Sequence, residues 1–237
     1  MGGTNSKSAF VAGATGLVGG CVLRRLLAHP AYSRVEILVR RESPISDPKL
    51  TQRIVDFAAL DPGRAGFAPD EVFCCLGTTI KMAGSREAFR RVDLEYPLEL
   101  ARFAKALGAG KFLMVTALGA DPTSAVFYNR VKGEVEQAIT TIGFPETFFF
   151  RPSLLLGKRA QRRRAEKIST ALGTIIAPLL IRSLRKYRPI HADAVAAAMV
   201  YAANHEIPAG VIASDAIARL ATLESQCPGD CATGKQA

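Results

Sequence analysis

A glycine-rich turn near the start of the chain constrains its fold more than any other segment. The apolar run at 9–12 leads into Gly13, Gly16 and Gly19, and an apolar-periodic helix is predicted from residue 17 to residue 28. In this interpretation Gly13 permits the tight turn, Gly16 leaves room for phosphates, and Gly19 lets the helix pack on the strand. The spacing is G-x-x-G-x-x-G, one residue wider than the common dinucleotide fingerprint. The motif therefore predicts a dinucleotide pyrophosphate at the helix N-terminus.

Predicted strands and helices alternate along the rest of the chain. We predict strands at 8–12, 35–39, 52–55, 71–76, 112–116, 147–150 and 211–213, and helices at 17–28, 85–107 with a kink at Pro97, 128–141, 162–186, 192–204 and from 214. This alternation favours an α/β fold with a Rossmann-type doubly wound, mostly parallel sheet and helices on both faces. We expect one domain at 1–223, with a small C-terminal substrate-side region at 153–190 inside it and a disordered tail at 224–237.

Composition narrows the class of protein and of ligand. The 237 residues carry a net charge of +10, with 49% hydrophobic and 22% charged residues, which is typical of a soluble globular protein that attracts anions such as phosphates. The odd number of cysteines, without a secretory signal, favours a reducing compartment, and we expect a cytoplasmic location. No transmembrane segment is expected, because the apolar run at 175–181 is too short to span a bilayer. The three scattered histidines indicate no metal site.

A tyrosine and a lysine stand four residues apart in the predicted helix at 128–141. Tyr128 and Lys132 therefore share one helix face, where the lysine ammonium can stabilise the phenolate of the tyrosine. Such a phenol can exchange a proton with a substrate oxygen, and the lysine can also bind a ribose hydroxyl. Thr116 ends the preceding strand, at the edge where parallel sheets bind ligands. We expect its hydroxyl to bind the substrate oxygen beside Tyr128.

Charged residues at two strand ends bear on the cofactor. Arg40 and Arg41 end the second strand, where an NAD site usually has an acidic residue, and two guanidiniums favour the 2′-phosphate of NADP. Glu42 follows directly, so NAD remains an alternative. Asp56, just past the third strand, is positioned to reach an adenine amino group or to be a solvated turn carboxylate.

Three further segments carry a family pattern beside the glycine turn. They are CCLGTT at 74–79, RVD at 91–93 and FYNRVKGE at 127–134. Together they resemble the short-chain dehydrogenase/reductases, and most closely the atypical Tat-interacting-protein-like branch with its bacterial relatives. The resemblance covers about residues 8–222, and the run at 73–136 is specific to that branch.

The resemblance implies a Rossmann fold, bound NADP(H), and Thr116, Tyr128 and Lys132 in the family's catalytic roles. It also implies cofactor contacts from the loop after the fourth strand and from the Arg-Pro segment near the nicotinamide. The expected cofactor-binding residues are Gly13, Ala14, Thr15, Gly16, Leu17, Val18, Gly19, Arg40, Arg41, Asp56, Leu76, Gly77, Thr78, Thr79, Tyr128, Lys132, Arg151, Pro152 and Ser153. In two places the chain departs from the family. Thr116 stands where many members have serine, and the family's catalytic-helix asparagine has no clear counterpart, with Asp93 in that region.

The hypothesis that follows is an NADP(H)-dependent oxidoreductase for a small-molecule carbonyl or alcohol. One alternative is a regulatory protein that senses NADPH and binds a protein partner with little turnover, and another is a nucleotide-sugar epimerase or dehydratase. The arginine-rich run at 158–164 lacks interleaved aromatic residues, so a solvated helix face is favoured over an anionic-partner site and over nucleic-acid binding. The sequence leaves the oligomeric state open.

Overall fold

A computed structural model describes residues 6–157 and 188–226. Its strands are β1 (Lys7–Ala12), β2 (Tyr32–Val39), β3 (Leu50–Ile54), β4 (Glu71–Cys74), β5 (Lys111–Val115), β6 (Glu146–Arg151), β7 (Leu155–Leu156), β8 (Ile190–His191) and β9 (Gly210–Ala213). Its helices are α1 (Leu17–Ala28), α2 (Ile80–Ala83), α3 (Arg86–Arg90), α4 (Tyr96–Ala106), α5 (Phe127–Thr140), α6 (Ala192–Asn204) and α7 (Ser214–Gln226). A 3-10 turn covers Pro62–Arg64, and a π-helical turn at Arg91–Glu95 joins α3 to α4. None of the helices described is long and apolar enough to cross a membrane.

Seven strands form one sheet in the order β3-β2-β1-β4-β5-β6-β9, and each adjacent pair is parallel. The chain first builds outward from β1 to β3 and then continues from β4 on the other side of β1. In such a sheet the ligand crevice opens where the order reverses, beyond the carboxyl ends of the strands. The structure confirms the predicted Rossmann-type, doubly wound α/β fold.

Alternating side chains of each strand face two separate cores. Along β1, Ala9 and Val11 point to the face covered by α1, α6 and α7, while Phe10 and Ala12 point to the face covered by α4 and α5. All four side chains are buried. A strand buried on both faces has a continuous apolar sequence, which is why the strands could be predicted from short apolar runs.

The helix predicted at 85–107 is divided in the structure. It begins as α3, passes through the π-helical turn and continues as α4. Pro97 follows the π-helical turn within a continuous right-handed helical run. Because proline has no N–H to donate to a carbonyl of the preceding turn, the irregular turn lies directly before it. The predicted kink is therefore displaced, and its consequence is the position of Asp93 within the π-helical turn.

The C-terminal predictions are only partly open to comparison. The helices predicted at 192–204 and from residue 214 are α6 and α7, and α7 extends to Gln226, past the predicted start of the tail. The predicted helix at 162–186, the arginine-rich run at 158–164 and the tail from residue 227 lie outside the described residues. Of the substrate-side region at 153–190, residues 153–157 and 188–190 are described. The single domain remains an expectation.

A buried polar network lies at the amino-terminal ends of the central strands, opposite the crevice. The Glu71 carboxylate is 2% exposed, pairs with the Lys7 ammonium at 2.8 Å, and accepts a hydrogen bond from the Tyr32 hydroxyl. Lys7 also donates to the Ala203 carbonyl and to Asn204 at the end of α6. Burial raises the pKa of Glu71, although the Lys7 ammonium opposes the shift. The network thereby joins β1, β2, β4 and α6.

We expect Glu71→Ala to lower the free energy of unfolding by about 2–4 kcal/mol, because it leaves buried donors without their acceptor. Urea denaturation measures this change. Glu99→Ala is the matched control, since it removes an exposed pair with Arg102 at 2.6 Å, and its expected cost is below about 1 kcal/mol. Equal losses in the two variants would show that the network adds nothing to stability.

Candidate active site

The glycine turn brings the end of β1, the start of α1 and the loop after β4 into direct backbone contact. Gly13 has a positive φ of 83°, and a Cβ there would lie 2.4 Å from the Cys75 carbonyl oxygen. A Cβ at Gly19 would lie 2.2 Å from the Gly13 carbonyl oxygen, and one at Gly16 would lie 3.0 Å from the same atom. Only glycine fits at residues 13 and 19, as predicted for the turn at Gly13 and for the helix packing at Gly19.

The start of α1 has the properties of an anion site. Gly16 precedes the helix without a side-chain cap, and the first turn contains no acidic residue. The amides of such a turn point outward with the positive end of the helix dipole, so they suit a phosphate. The side chains of Ala14 and Val18 are buried, which leaves their backbone as the part that can contact a cofactor. These residues fit a dinucleotide.

Lys132 is held by an aspartate that sequence reasoning left without a role. Lys132 is 3% exposed, and its Nζ lies 2.7 Å from Oδ1 of the fully buried Asp93. The Thr78 backbone N–H donates to the other oxygen of Asp93 at 2.9 Å. Gly77 lies beside this pair, since a Cβ there would be 3.4 Å from Asp93 and 3.7 Å from Lys132. The π-helical turn, the loop after β4 and α5 therefore meet at one ion pair.

The charges of this pair affect each other. Burial raises the pKa of Asp93, and the Lys132 ammonium and the Thr78 amide only partly offset this. Burial by itself would lower the pKa of Lys132, but the negative charges of the Asp93 carboxylate and of an ionised Tyr128 reverse the effect, so the pKa of Lys132 is raised. Lys132 is consequently a protonated, buried cation at neutral pH.

Tyr128 lies in the first turn of α5, one turn before Lys132 and half-buried. Its ring packs against Phe89 of α3 at a centroid distance of 5.6 Å. Its hydroxyl makes no hydrogen bond to another residue that the structure describes, so it is open to a ligand. The loop before α5 is held close to the helix, since a Cβ at Gly133 would lie 2.1 Å from the Pro122 nitrogen.

Thr116 does not join this group in the expected way. Its hydroxyl donates to Glu136 Oε1 at 2.6 Å, and Glu136 also accepts from the Arg151 guanidinium at 2.5 to 3.2 Å. Glu136 lies two helical turns beyond Tyr128, which is about 12 Å along the axis of α5. The structure thus directs the Thr116 proton and the Arg151 side chain to Glu136 rather than to the space beside Tyr128.

The charged residues predicted near the adenosine differ in whether their side chains already have a partner in the structure. Arg40 and Arg41 are exposed after β2 and form no ion pair with any described residue. Asp56 is exposed, and one of its oxygens accepts from the Ala58 amide at 2.9 Å, as in a turn. Its predicted adenine contact remains a prediction.

The loops after β4 and β6 use several of their polar groups internally. Thr79 caps α2 by accepting from Met82 N at 3.2 Å. The Ser153 hydroxyl donates to the Arg188 carbonyl, and the Pro152 carbonyl accepts from Leu118 N at 2.9 Å. Leu76 is partly buried against the α4–α5 core. Contacts of these loops with a cofactor remain predictions.

A cavity of about 380 Å³ lies beside the glycine turn, between the start of α1 and the start of α6. Thr15, Leu17, Cys21 and Arg24 line it from the turn and from α1, and His191 and neighbouring residues face them. Tyr128 and Lys132 are absent from its lining. This cavity is therefore separate from the space beside Tyr128 and Lys132.

No family model matches the chain. The chain is 38% identical over 165 residues to the protein HTATIP2 of Rattus norvegicus, covering 68% of either chain. The chain belongs to the atypical short-chain dehydrogenase/reductases, in the Tat-interacting-protein-like branch. It is also 31% identical over 209 residues to the mitochondrial protein fmp52 of Emericella nidulans, covering 84% of this chain and 89% of that one. The predicted family is confirmed, and it is an NAD(P)-binding one.

Solved structures with the same fold are more distant. A UDP-N-acetylglucosamine 4-epimerase of Methanobrevibacter ruminantium aligns with a TM-score of 0.66 and 17% identity, over 88% of this chain and 76% of that one. The enzyme WbmH of Bordetella bronchiseptica, in complex with NAD⁺, aligns with a TM-score of 0.64 and 18% identity, over 88% and 75%. Identities this low establish the shared fold alone.

The expected cytoplasmic location is wrong by this comparison. The fmp52 relative of Emericella nidulans is named as mitochondrial, and so are relatives from Aspergillus niger, Coccidioides immitis and Scheffersomyces stipitis. An odd number of cysteines does not distinguish a cytoplasmic from a mitochondrial location.

We expect Gly19→Ala to destabilise the fold by about 1–3 kcal/mol and to weaken NADPH binding at least about tenfold, because the new Cβ forces the start of α1 away from Gly13. Urea denaturation and calorimetric titration with NADPH measure these changes. In the matched control, Gly20→Ala, the new Cβ meets the Ala14 carbonyl at 3.2 Å, and the gain in helix propensity of about 1 kcal/mol offsets the contact. Similar behaviour of the two variants would contradict the packing argument.

Proposed function

We propose that the protein is an NADP(H)-dependent oxidoreductase that reduces a small-molecule carbonyl compound or oxidises the corresponding alcohol. The observation that carries this proposal is the pairing on α5 of an open Tyr128 hydroxyl with the buried, protonated Lys132. Both lie on α5, the helix that follows the carboxyl end of β5, and ligands bind at the carboxyl ends of the strands in such a sheet.

In the proposed reaction the dinucleotide, when bound, supplies or accepts the hydride at the substrate carbon. During reduction Tyr128 donates its phenolic proton to the carbonyl oxygen, and during oxidation it takes the proton from the alcohol. Lys132 stabilises the phenolate left on Tyr128 and would hydrogen-bond a ribose hydroxyl. Asp93 keeps Lys132 in place, because their ion pair is buried and directed.

The preference for NADP over NAD rests on Arg40 and Arg41. Two exposed guanidiniums without an ion-pair partner in the described ranges can take up the 2′-phosphate, for which bidentate hydrogen bonds are well suited. The amides at the start of α1 would hold the pyrophosphate, and Gly13, Gly16 and Gly19 keep that turn close to the helix.

One observation favours the alternative of an NADPH-binding regulatory protein with little turnover. The Thr116 hydroxyl, expected to orient the substrate oxygen, gives its proton to Glu136. In the described part of the chain, Tyr128 is then the group best placed to act on a substrate oxygen. A regulatory protein would need the cofactor site but not the phenol, so the two functions differ in their dependence on Tyr128.

We expect Tyr128→Phe to lower kcat by about 10²–10⁴-fold with NADPH and a panel of aldehydes and ketones, because the proton donor is lost. The dissociation constant for NADPH should change by less than about threefold. NADPH consumption gives the first quantity and calorimetry the second. Tyr201→Phe, on α6 away from the crevice, serves as the control. If wild-type protein binds NADPH but turns over no member of the panel, the regulatory alternative gains the support.

We expect Arg40→Ala combined with Arg41→Ala to weaken NADP⁺ binding by about 10–100-fold, since two charge-assisted contacts to the 2′-phosphate are removed. NAD⁺ binding should change by less than about threefold. Parallel calorimetric titrations compare the two nucleotides. Arg102→Ala is the control, because it removes an exposed guanidinium of α4. Equal losses for NADP⁺ and NAD⁺ would contradict the assignment of the 2′-phosphate site.

A further inference from the structure

Glu136 joins three elements at the end of the sheet that carries the reactive groups. Its side chain is buried at 5% exposure and accepts hydrogen bonds from Thr116 Oγ1 at 2.6 Å, Arg151 Nε at 3.0 Å and Arg151 Nη2 at 2.5 Å. Thr116 directly follows β5, and Arg151 is the last residue of β6. One carboxylate therefore connects α5 to the ends of two adjacent strands.

We propose that Glu136 is a positioning residue for the oxidoreductase reaction: by binding Thr116 and Arg151 it sets the rotation of α5 and with it the direction of Tyr128. This inference rests on the proposed function, and it assigns Thr116 and Arg151 to the support of the helix instead of to the substrate and the nicotinamide.

The chemistry of the contact favours a positioning role over simple packing. A buried carboxylate is costly unless it is paired and hydrogen-bonded, and an apolar side chain of similar size would fill the same space at lower cost. Hydrogen bonds from three donors, however, allow only a narrow range of directions, whereas apolar contacts allow sliding. The ion pair with Arg151 therefore defines an orientation that packing alone would leave free.

Helix geometry carries this orientation to the reactive groups. Tyr128, Lys132 and Glu136 are spaced four residues apart, so they form one stripe along α5. If the helix rotates by about 20°, a hydroxyl that lies about 8 Å from the helix axis is displaced by about 3 Å. A misplacement of about 1 Å can reduce a reaction rate by about 10²-fold. Small changes at Glu136 should consequently reach the phenol without any contact between them.

The second anchor of α5 makes the effect specific. Asp93 holds Lys132 at 2.7 Å in the turn between Tyr128 and Glu136. When Glu136 is lost, the helix can rotate as a unit. The flexible Lys132 side chain keeps its ammonium at Asp93, while the Tyr128 ring moves with the helix backbone. The expected result is a weaker stabilisation of the phenolate by the ammonium.

The test compares Glu136→Gln with Glu134→Gln in the full-length protein. Glu134 lies on the same helix and pairs with Arg90 at 2.6 Å on a more exposed face, so it controls for the loss of a helix carboxylate. Glu136→Gln should lower kcat by about 10–100-fold and leave the KM and the dissociation constant of NADPH within about threefold. Glu134→Gln should leave all three unchanged.

A second measurement needs no turnover. The NADP⁺ complex is titrated with base, and its ultraviolet absorbance is recorded. The same titration of Tyr128→Phe is subtracted, which leaves the ionisation of Tyr128. Glu136→Gln should raise the pH of this ionisation, because the phenolate loses part of its stabilisation by Lys132. Removal of a negative charge would by itself lower it, so the sign separates a change of position from a change of charge. Charged groups on the elements that pack here, Arg86, Arg90, Asp93 and Arg130, are the same in both glutamate variants.

Thr116 variants complete the test. Thr116→Ser keeps the hydroxyl and should retain wild-type kcat, while Thr116→Val should lose less than about tenfold, since Arg151 still holds Glu136. Unchanged kcat and an unshifted or lowered ionisation of Tyr128 in Glu136→Gln would overturn the proposal. So would a loss in Thr116→Val as large as that in Tyr128→Phe, since the hydroxyl would then act on the substrate. If wild-type protein has no turnover, the proposed function fails, and the Tyr128 titration still decides the role of Glu136.

Discussion

Everything at the crevice depends on the close approach of three backbone segments around the carbonyl of Gly13. This carbonyl lies where a side chain at Gly19 would have to be, and the Gly13 Cα lies against the Cys75 carbonyl of the loop after β4. These contacts allow β1, the start of α1 and the loop after β4 to approach one another closely at the point where the strand order reverses. The reversal of the strand order creates the crevice, and this contact keeps it narrow enough for backbone amides to reach a pyrophosphate.

A second set of constraints, all ionic, organises the opposite wall. The pair of Lys132 with Asp93 joins α5 to the π-helical turn, and the pair of Glu136 with Arg151 joins it to β6. Both pairs are largely buried, so their energy depends on geometry more than on the ionic strength of the solution. The two walls are thus built differently, one from glycine backbone and the other from directed charges.

The parts of the site that sequence analysis predicted are those whose cause is local. Gly13 and Gly19 are recognisable because only a residue without Cβ can turn and pack there, and Tyr128 and Lys132 are recognisable because helical spacing puts them on one face. Partners far apart in sequence were not predicted. Asp93 lies in a π-helical turn that no residue pattern predicted, and its partner Lys132 lies on another helix.

Thr116 illustrates the same limit within the fold. Its place at the end of β5 was predicted to within one residue, but the direction of its hydroxyl depends on Glu136, 20 residues away. In a similar way the apolar runs predicted the strands of the large sheet, because burial on both faces needs apolar side chains. They did not predict the two-residue strands β7 and β8, which are too short to show a pattern.

The network of Lys7, Tyr32 and Glu71 lies at the amino-terminal ends of the strands, whereas Tyr128 and Lys132 lie beyond the carboxyl ends. One stabilising polar network of the described structure therefore lies away from the crevice. A substitution that strengthens this network should leave the geometry of the crevice as it is, so a protein engineer could raise the stability of the fold without altering the ligand-binding surface.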